Sequence, residues 1–576
     1  MSELKINEFS KKYNISKITS TKIFKCLGEL AESILKENPY TLKRFGGFAF
    51  KRCDEIARKI GFDMNSPIRV RACVDLAIEE IANGSTIIKT FEVMSRVSKI
   101  CDIQSMDYIK KCIEKQEGDE IDYIFLNSEL KPTDNNSINL WMTKSIYYNI
   151  EKYIFNMCLR ASRTSVIEVN DKYIDEVENN LPFTLSKGQK EGLISFCKNN
   201  LNILTGLGGT GKSLVTKCLL DILDKTKQTY TLMTPTGKSA KVLEQSTGRP
   251  VQTIHSRCLS GGDINSDWLI IDECGMCSIE HFKLIRKVLT NFHIKILFIG
   301  DINQLQPISP AQPFRDLINL IKIGKLKGNI IELSEIMRAS SELFIPHLCK
   351  QFTKFLPYDS RLELKKKGEL KGVEFIKKTT NINTHILDIL NENNLSFENT
   401  SILLPQNKGD YGCTKINMFL QEHFNGQNEI LFSDKFKIYR KNDELMHIKN
   451  NYSMDIMNGE RIKLLDKQGY RYIAQKVDTL EEVIYDEETL QNETILSYCN
   501  TIHKCQGMTQ DNIIIVCISS HIYMLTKQLV YTGMSRASKK LFIIYDDGIL
   551  RKAYNKDVVD ERKTFLGEIA KIKKNK

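Results

Sequence analysis

The stretch Thr205-Gly206-Leu207-Gly208-Gly209-Thr210-Gly211-Lys212-Ser213 reads G-x-x-x-x-G-K-S. Residues 201–204 before it are an apolar run suited to a buried strand, and Leu214, Val215, Cys218, Leu219 and Ile222 after it form a helical stripe. That strand, loop and helix are the context a phosphate-cradling loop requires. Gly206, Gly208, Gly209 and Gly211, with Thr210 among them, permit a turn tight enough to aim backbone N–H groups inward. The helix opening at Lys212 adds its positive dipole end to the same anion site. In this reading Lys212 reaches the β- and γ-phosphates and the Ser213 hydroxyl holds magnesium. A chance Gly-rich turn is the competing reading, and the flanking strand and helix weigh against it. The loop alone says that a nucleoside triphosphate binds.

Working outward, Leu181-Pro182-Phe183-Thr184 marks a boundary after which short apolar runs alternate with helical patterns, the signature of parallel α/β domains. Gln189 lies just before the loop, where an amide can read an adenine edge; by itself it is a polar residue at a helix start. Residues 268–271 form a strand that delivers Asp272-Glu273 to the carboxyl edge of a sheet, where ligands sit in such folds. There Asp272 can hold magnesium through water, and Glu273 can orient and deprotonate an attacking water. A third strand, 294–299, leads to Gly300-Asp301-Ile302-Asn303-Gln304, whose Gln304 can touch both γ-phosphate and water. Two arginines, Arg338 after a strand at 330–333 and Arg536 before one at 541–545, can stabilise transition-state charge. Each taken alone is an ordinary surface arginine; their place beside sheet edges raises them.

At 576 residues the chain implies two to four domains. It has no apolar stretch of membrane-span length and a polar start, so a soluble intracellular protein is expected, in cytoplasm, nucleus or viral factory, with no membrane partner. Sixteen scattered cysteines suit reduced, packed thiols. The net charge of +11, from 82 basic and 71 acidic residues, leans toward a polyanionic partner but is weak on its own.

Toward the amino terminus, helical patterns run from about residue 27 and are linked by Phe45-Gly46-Gly47-Phe48. The N–H groups of Gly46 and Gly47 in such a hairpin can meet a DNA phosphate, with Lys43, Arg44, Lys51 and Arg52 alongside; an ordinary helical hairpin fits these residues equally well. Residues 114–136 read as a loop or small strand pair, and 140–159 as amphipathic helix.

Taken in order, the phosphate loop, Thr234-Pro235-Thr236-Gly237-Lys238, Asp272-Glu273, Gly300-Asp301 to Gln304, Arg338, Thr501-Ile502-His503-Lys504-Cys505-Gln506-Gly507 and Ser535-Arg536-Ala537 resemble a superfamily 1 helicase. Ala240-Lys241-Val242-Leu243 with Thr253-Ile254-His255, Leu404-Pro405-Gln406-Asn407-Lys408-Gly409, and Asn450-Asn451-Tyr452 with Asn458-Gly459 resemble its RecD/TraA branch, superfamily 1B. Glu37-Asn38-Pro39-Tyr40 through Phe48 resembles the helix-hairpin-helix region of the long RecD-like proteins, which turns Gly46 and Gly47 toward DNA binding. The resemblance implies an all-α amino-terminal domain (1–180) and two RecA-like domains (181–333 and 334–550). It further implies an SH3-like β-barrel insertion at about 462–494, and a basic tail, 551–576, follows. It also implies an ATP- and Mg²⁺-dependent helicase moving 5′ to 3′ on single-stranded DNA in replication, recombination or repair. Forked or tailed duplexes are its implied substrates, and replication or repair proteins its candidate partners. Thr236, His255, Asn407, Thr501 and His503 would line the strand channel, mostly against phosphates and sugars.

Three departures temper this. Between His255 and Asp272 there is room only for a short Gly261-Gly262 segment where the family inserts a strand-separating pin, so translocation is the safer expectation. Cys274-Gly275-Met276-Cys277 forms a C-x-x-C with no second pair, which favours packed thiols over zinc. Ala339 follows Arg338 where the family has Gln. An ATPase that remodels nucleoprotein without separating strands, or a DNA-binding subunit of a larger helicase–nuclease assembly, stays open. The basic tail is read as solvated and frayed.

Overall fold

The apolar run before the phosphate loop forms the strand Leu201–Gly206, buried along its whole length. A strand buried on both faces needs partners on both edges and helices above and below, and a parallel α/β sheet supplies them. In the computed structural model, which describes residues 3–45, 48–114, 123–133, 140–163, 172–335, 343–353, 356–556 and 562–571, this strand lies within a six-stranded sheet. The order is Gln252–Thr253, Tyr230–Thr234, Trp268–Ile271, Lys295–Gly300, Leu201–Gly206, Asn329–Leu333, all parallel. The stripe expected after the loop becomes the helix Lys212–Lys225. Its Val215, Cys218, Leu219 and Ile222 share a core with Leu204, Ile270 and Leu297 of the sheet.

A second parallel sheet has five strands in the order Val373–Lys377, Ala537–Tyr545, Gln510–Cys517, Thr400–Leu404, Cys499–Thr501. Alternation sorts its side chains onto two faces: Ile513, Ile515, Leu541 and Ile543 enter one core, while Ile514, Val516, Phe542 and Ile544 enter the other.

Between these parallel strands the chain builds an antiparallel sheet of five, ordered Glu482–Tyr485, Arg471–Lys476, Arg461–Gln468, Glu444–His447, Thr494–Leu496, with its own core around Ile462, Leu464, Tyr472 and Tyr485. The insertion expected at 462–494 is thus corrected: its strands begin at Glu444 and end at Leu496, and the two edge strands are not paired into a closed barrel. All four residues of Glu444–His447 are buried, so the strand shows no alternation by which to be read. A separate hairpin, Ile430–Ser433 with Ile438–Arg440, precedes it.

The molecule divides into two units, Met1–Lys152 with Glu561–Lys576, and Tyr153–Asp560. The first is mainly helical, but the all-α expectation needs one correction, a three-stranded antiparallel sheet of Ile87–Lys89, Trp141–Lys144 and Tyr123–Leu126. Strands of three or four residues are too short to carry a period-two signal. Within this unit Tyr40 stacks on Phe50 and donates to Asp54, which also receives Nε of the buried Arg69 at 2.8 Å. Lys43 and Arg52, expected to face DNA, are engaged by Asp75 and by Thr19. Gly46 and Gly47 lie outside the described residues, as does the side chain of Arg44.

The tail also differs from expectation over 562–571. Thr86 and Ile87 donate backbone N–H groups to the carbonyl of Lys563, the buried Glu151 accepts from Thr86 Oγ1 at 2.9 Å and Leu566 N at 3.2 Å, and Phe565 packs edge-on against Tyr148. A polar composition hides this, because two apolar residues, Phe565 and Leu566, do the anchoring. Leu566→Ala should destabilise this unit by about 2–4 kcal/mol, the cost of an unfilled Leu site. An unchanged urea midpoint for its unfolding transition would show the segment to be ornamental.

Candidate functional site

The carboxyl edges of the first sheet converge on the phosphate loop. Gly211 takes the left-handed conformation (φ 86°) as the N-cap of Lys212–Lys225, a geometry only glycine adopts without strain. The Lys212 ammonium donates to the carbonyls of Gly206 (2.8 Å) and Leu207 (3.1 Å), and Thr210 Oγ1 donates to Leu207 O at 2.8 Å. Lys212 is therefore folded over its own loop. Gln189 is fully buried. Its Oε1 accepts from Ser186 N (3.0 Å) in a capping box and its Nε2 donates to Thr210 O (3.3 Å), so the amide braces the loop. Ser213 sits in the first turn of the helix.

Asp272 and Glu273 follow the strand Trp268–Ile271. Asp272 Oδ1 accepts the N–H of Glu273 at 2.8 Å, while burial, and then the Glu273 charge, push its carboxyl up to about 7. A buried acid held near neutrality beside a phosphate loop suits a divalent cation, whose charge would restore the carboxylate. Glu273 holds φ 53° and ψ 35°, left-handed for a non-glycine residue, which costs about 1 kcal/mol or more. The next strand brings Asp301 and Gln304 alongside: a Cβ on Gly300 would lie 2.9 Å from Gly275 N, so the two post-strand loops touch backbone to backbone. Gln304 is buried, with Nε2 3.5 Å from Asp301 Oδ2.

The second sheet closes this edge. Helix Lys527–Met534 presents Tyr531, fully buried, whose hydroxyl donates to Asp301 Oδ2 and accepts Gly208 N–H at 3.4 Å. Leu207 of the phosphate loop belongs to the core that contains Tyr531, Met534 and Ile515. Leu305 N donates to Thr532 Oγ1 at 3.1 Å. Arg536, one turn on, is buried and donates to Thr532 O (3.1 Å), Met508 O (3.0 Å) and Ser535 Oγ (3.1 Å). Arg338 lies outside the described residues.

Of the residues expected along a strand channel, Asn407 and Thr501 line one cavity. Thr236 caps helix Gly237–Thr247 through Ser239 N, and that helix start abuts Gly507, where a Cβ would come within 2.5 Å of Ser239 Oγ. His503 is largely buried, which lowers its pKa. His255 instead packs edge-on against His281, with ring centroids 5.1 Å apart. Cys274 and Cys277 are buried free thiols, and no cluster of three or more metal-binding side chains occurs among the described residues.

Sequence reasoning assigned no role to Tyr531, and it missed two ties from the inserted sheet to the first sheet's helix, Lys241 to Glu460 and Lys238 to Asp478 (3.8 Å). The one available signal for Tyr531 is an aromatic hydroxyl five residues before Arg536.

His281 generates a pH prediction. Its Nδ1 accepts Ser278 N–H at 3.0 Å, and burial, then His255, lower its pKa to about 4. Unfolded chains take up this proton near pH 6.5 and the folded protein does not, so stability is lost as pH falls from 6.5 toward 4. His281→Gln keeps a capping side chain. It should lose about 2 kcal/mol less than wild type between pH 7.5 and pH 5 in denaturant titrations; equal losses would remove His281 as the source.

Comparison with known proteins follows this geometry. The sequence profile of the ATP-dependent RecD2 DNA helicase HHH domain matches residues 2–87, that of an AAA domain 184–346, and that of the UvrD-like helicase C-terminal domain 496–544. An uncharacterised protein of Methanocaldococcus jannaschii is 25% identical over 664 residues, covering 95% of this chain and 55% of that protein. The ATP-dependent RecD2 DNA helicase of Deinococcus radiodurans is 27% identical over 372 residues (62% and 48%), and the RecBCD enzyme subunit RecD of Buchnera aphidicola 25% over 588 (85% and 94%). The chain spans about half the length of the first two. Its ordered motifs and these matches make the chain similar to RecD2, RecD and TraA proteins, with residues 2–87 similar to the helix-hairpin-helix domain of RecD2.

Proposed function

We propose that this chain is an ATP-driven DNA helicase that moves 5′ to 3′ along single-stranded DNA, acting on tailed or forked duplexes in replication, recombination or repair. The observation that carries this reading is the contact of the phosphate loop with the second sheet's helix through Leu207 and Tyr531. Any ligand that rearranges the loop's N–H groups must also change how the two sheets meet, which is what a motor needs. In this reading the loop glycines and Thr210 cradle the phosphates, and Lys212 turns from its carbonyls to the β- and γ-phosphates. Glu273 takes the proton of the attacking water, and Gln304 holds that water against the γ-phosphate. Arg338 and Arg536 meet the developing charge. Ser213 and Asp272 would hold magnesium, which supplies charge neutralisation at the phosphates. Thr236, His255, Asn407, Thr501 and His503, with Gly46 and Gly47 in the other unit, would contact DNA. The 5′ to 3′ direction rests on the RecD-like resemblance.

One observation favours a second reading, a translocase that remodels nucleoprotein with weak strand separation. The segment between His255 and Asp272 holds the helix Ile254–Leu259 and no strand pair that would act as a pin. No described helix is long and apolar enough to cross a membrane.

Strand displacement with ATP and magnesium on duplexes bearing a 5′ or a 3′ tail separates these readings. Opening only from the 5′ tail is expected of the helicase, and DNA-stimulated hydrolysis without opening identifies the remodeller. Absence of both would end the proposal. Lys212→Ala and Glu273→Gln should each reduce turnover by at least about 100-fold, with Glu273→Gln still binding ATP at wild-type affinity; loss of binding in that variant would remove the role given to Glu273.

A further inference from the structure

A cavity of about 520 Å³ lies between the second parallel sheet and the Ile430–Ser433/Ile438–Arg440 hairpin, and Asn407, Thr501 and Lys504 form its inner side. Its outer rim carries Phe436, Met418 and Ile438, which are 91%, 60% and 43% exposed. An aromatic ring held so far into solvent at a hairpin tip gains nothing from folding, and a fixed platform at a cavity mouth is where an aromatic ligand would stack.

The tip is rigidly built. Asp434 Oδ1 accepts the N–H groups of Phe436 (2.6 Å) and Lys437 (2.7 Å), and its Oδ2 accepts Gln491 Nε2 (2.7 Å). Lys437 Nζ donates to Thr494 O at 2.7 Å and to Gln491 O. The acidic side chain of the turn is thereby spent inside it, while Lys435 stays exposed at the rim. Deeper in, Lys504 is half-buried, and its burial lowers its pKa. No ion pair to it occurs among the described residues, so its charge is unneutralised where a phosphate of a passing strand would relieve it.

Two amides of the wall are also occupied. Asn417 exchanges hydrogen bonds with the backbone of Cys499, and Gln421 donates to Ile438 O and Asp443. With those donors used, the walls offer apolar contact and stacking more than base-edge hydrogen bonds, and discriminate little between bases.

We infer that this cavity receives one unstacked base of single-stranded DNA, stacked on Phe436, with Lys504 on an adjoining phosphate. This rests on the proposed DNA-motor reading, whose channel residues Asn407 and Thr501 are continuous with the cavity. It adds to that reading a base-holding station on the inserted hairpin, so that the second sheet grips the strand by stacking as well as by phosphate contact.

The test uses the full chain without nucleotide and a thymidine oligonucleotide carrying 2-aminopurine at successive positions. Wild type should quench the probe at one or two positions. Phe436→Ala should abolish that quenching and weaken binding by about tenfold, and Phe436→Trp should retain both. The ring is exposed, so an unchanged melting temperature verifies that Phe436→Ala is folded. Quenching and affinity equal to wild type in Phe436→Ala would overturn the station and leave the motor reading standing. Failure of wild type to bind the oligonucleotide at all would overturn both.

Discussion

The hydroxyl of Tyr531 is the point on which the two parallel sheets meet. It donates to a carboxylate of the first sheet, Asp301, and accepts a phosphate-loop amide, Gly208 N–H, with no water around it. Hydrogen bonds to charged groups contribute about 1.5–3 kcal/mol, and burying Leu207 in the same core adds about 1.5–3 kcal/mol. Gly208 N–H is one of the amides such a loop turns to an anion, so the phenol and a phosphate oxygen are alternative partners for it. The loop therefore bears directly on the helix Lys527–Met534, with Arg536 just beyond its carboxyl end.

The inserted antiparallel sheet ties the same two bodies a second way. Glu460 takes Lys241, and Asp478 approaches Lys238, both on the helix capped by Thr236. Lys238 is largely buried and its pKa lowered, so its charge is held at a cost that only nearby acids offset.

Several parts of this arrangement were legible because their signal is local. The phosphate loop announces itself by glycines at fixed spacing, the strand at 201 by an apolar run leading into that loop, and the strands at 268 and 295 by apolar runs that end in acids. Other parts were not. Glu444–His447 is buried on both faces, the short strands of the amino-terminal unit are below the length at which alternation can be seen, and Phe565 with Leu566 anchor a segment whose composition reads as a solvated tail. For Gln189 the position beside the loop was readable, while the partners of its amide, Ser186 and Thr210, were not.

By itself, the order of residues determined a triphosphate loop, two parallel α/β bodies and an acid pair at a sheet edge, since backbone conformation, burial period and strand-end placement depend on neighbours a few residues apart. Only the tertiary structure decided that Tyr531 meets Gly208 across more than 300 positions of chain, that Lys241 finds Glu460, and that Phe436 and Thr501 line one cavity. Such contacts depend on how whole sheets dock. Docking is set by the summed shape of many buried side chains, and no spacing along the chain records it.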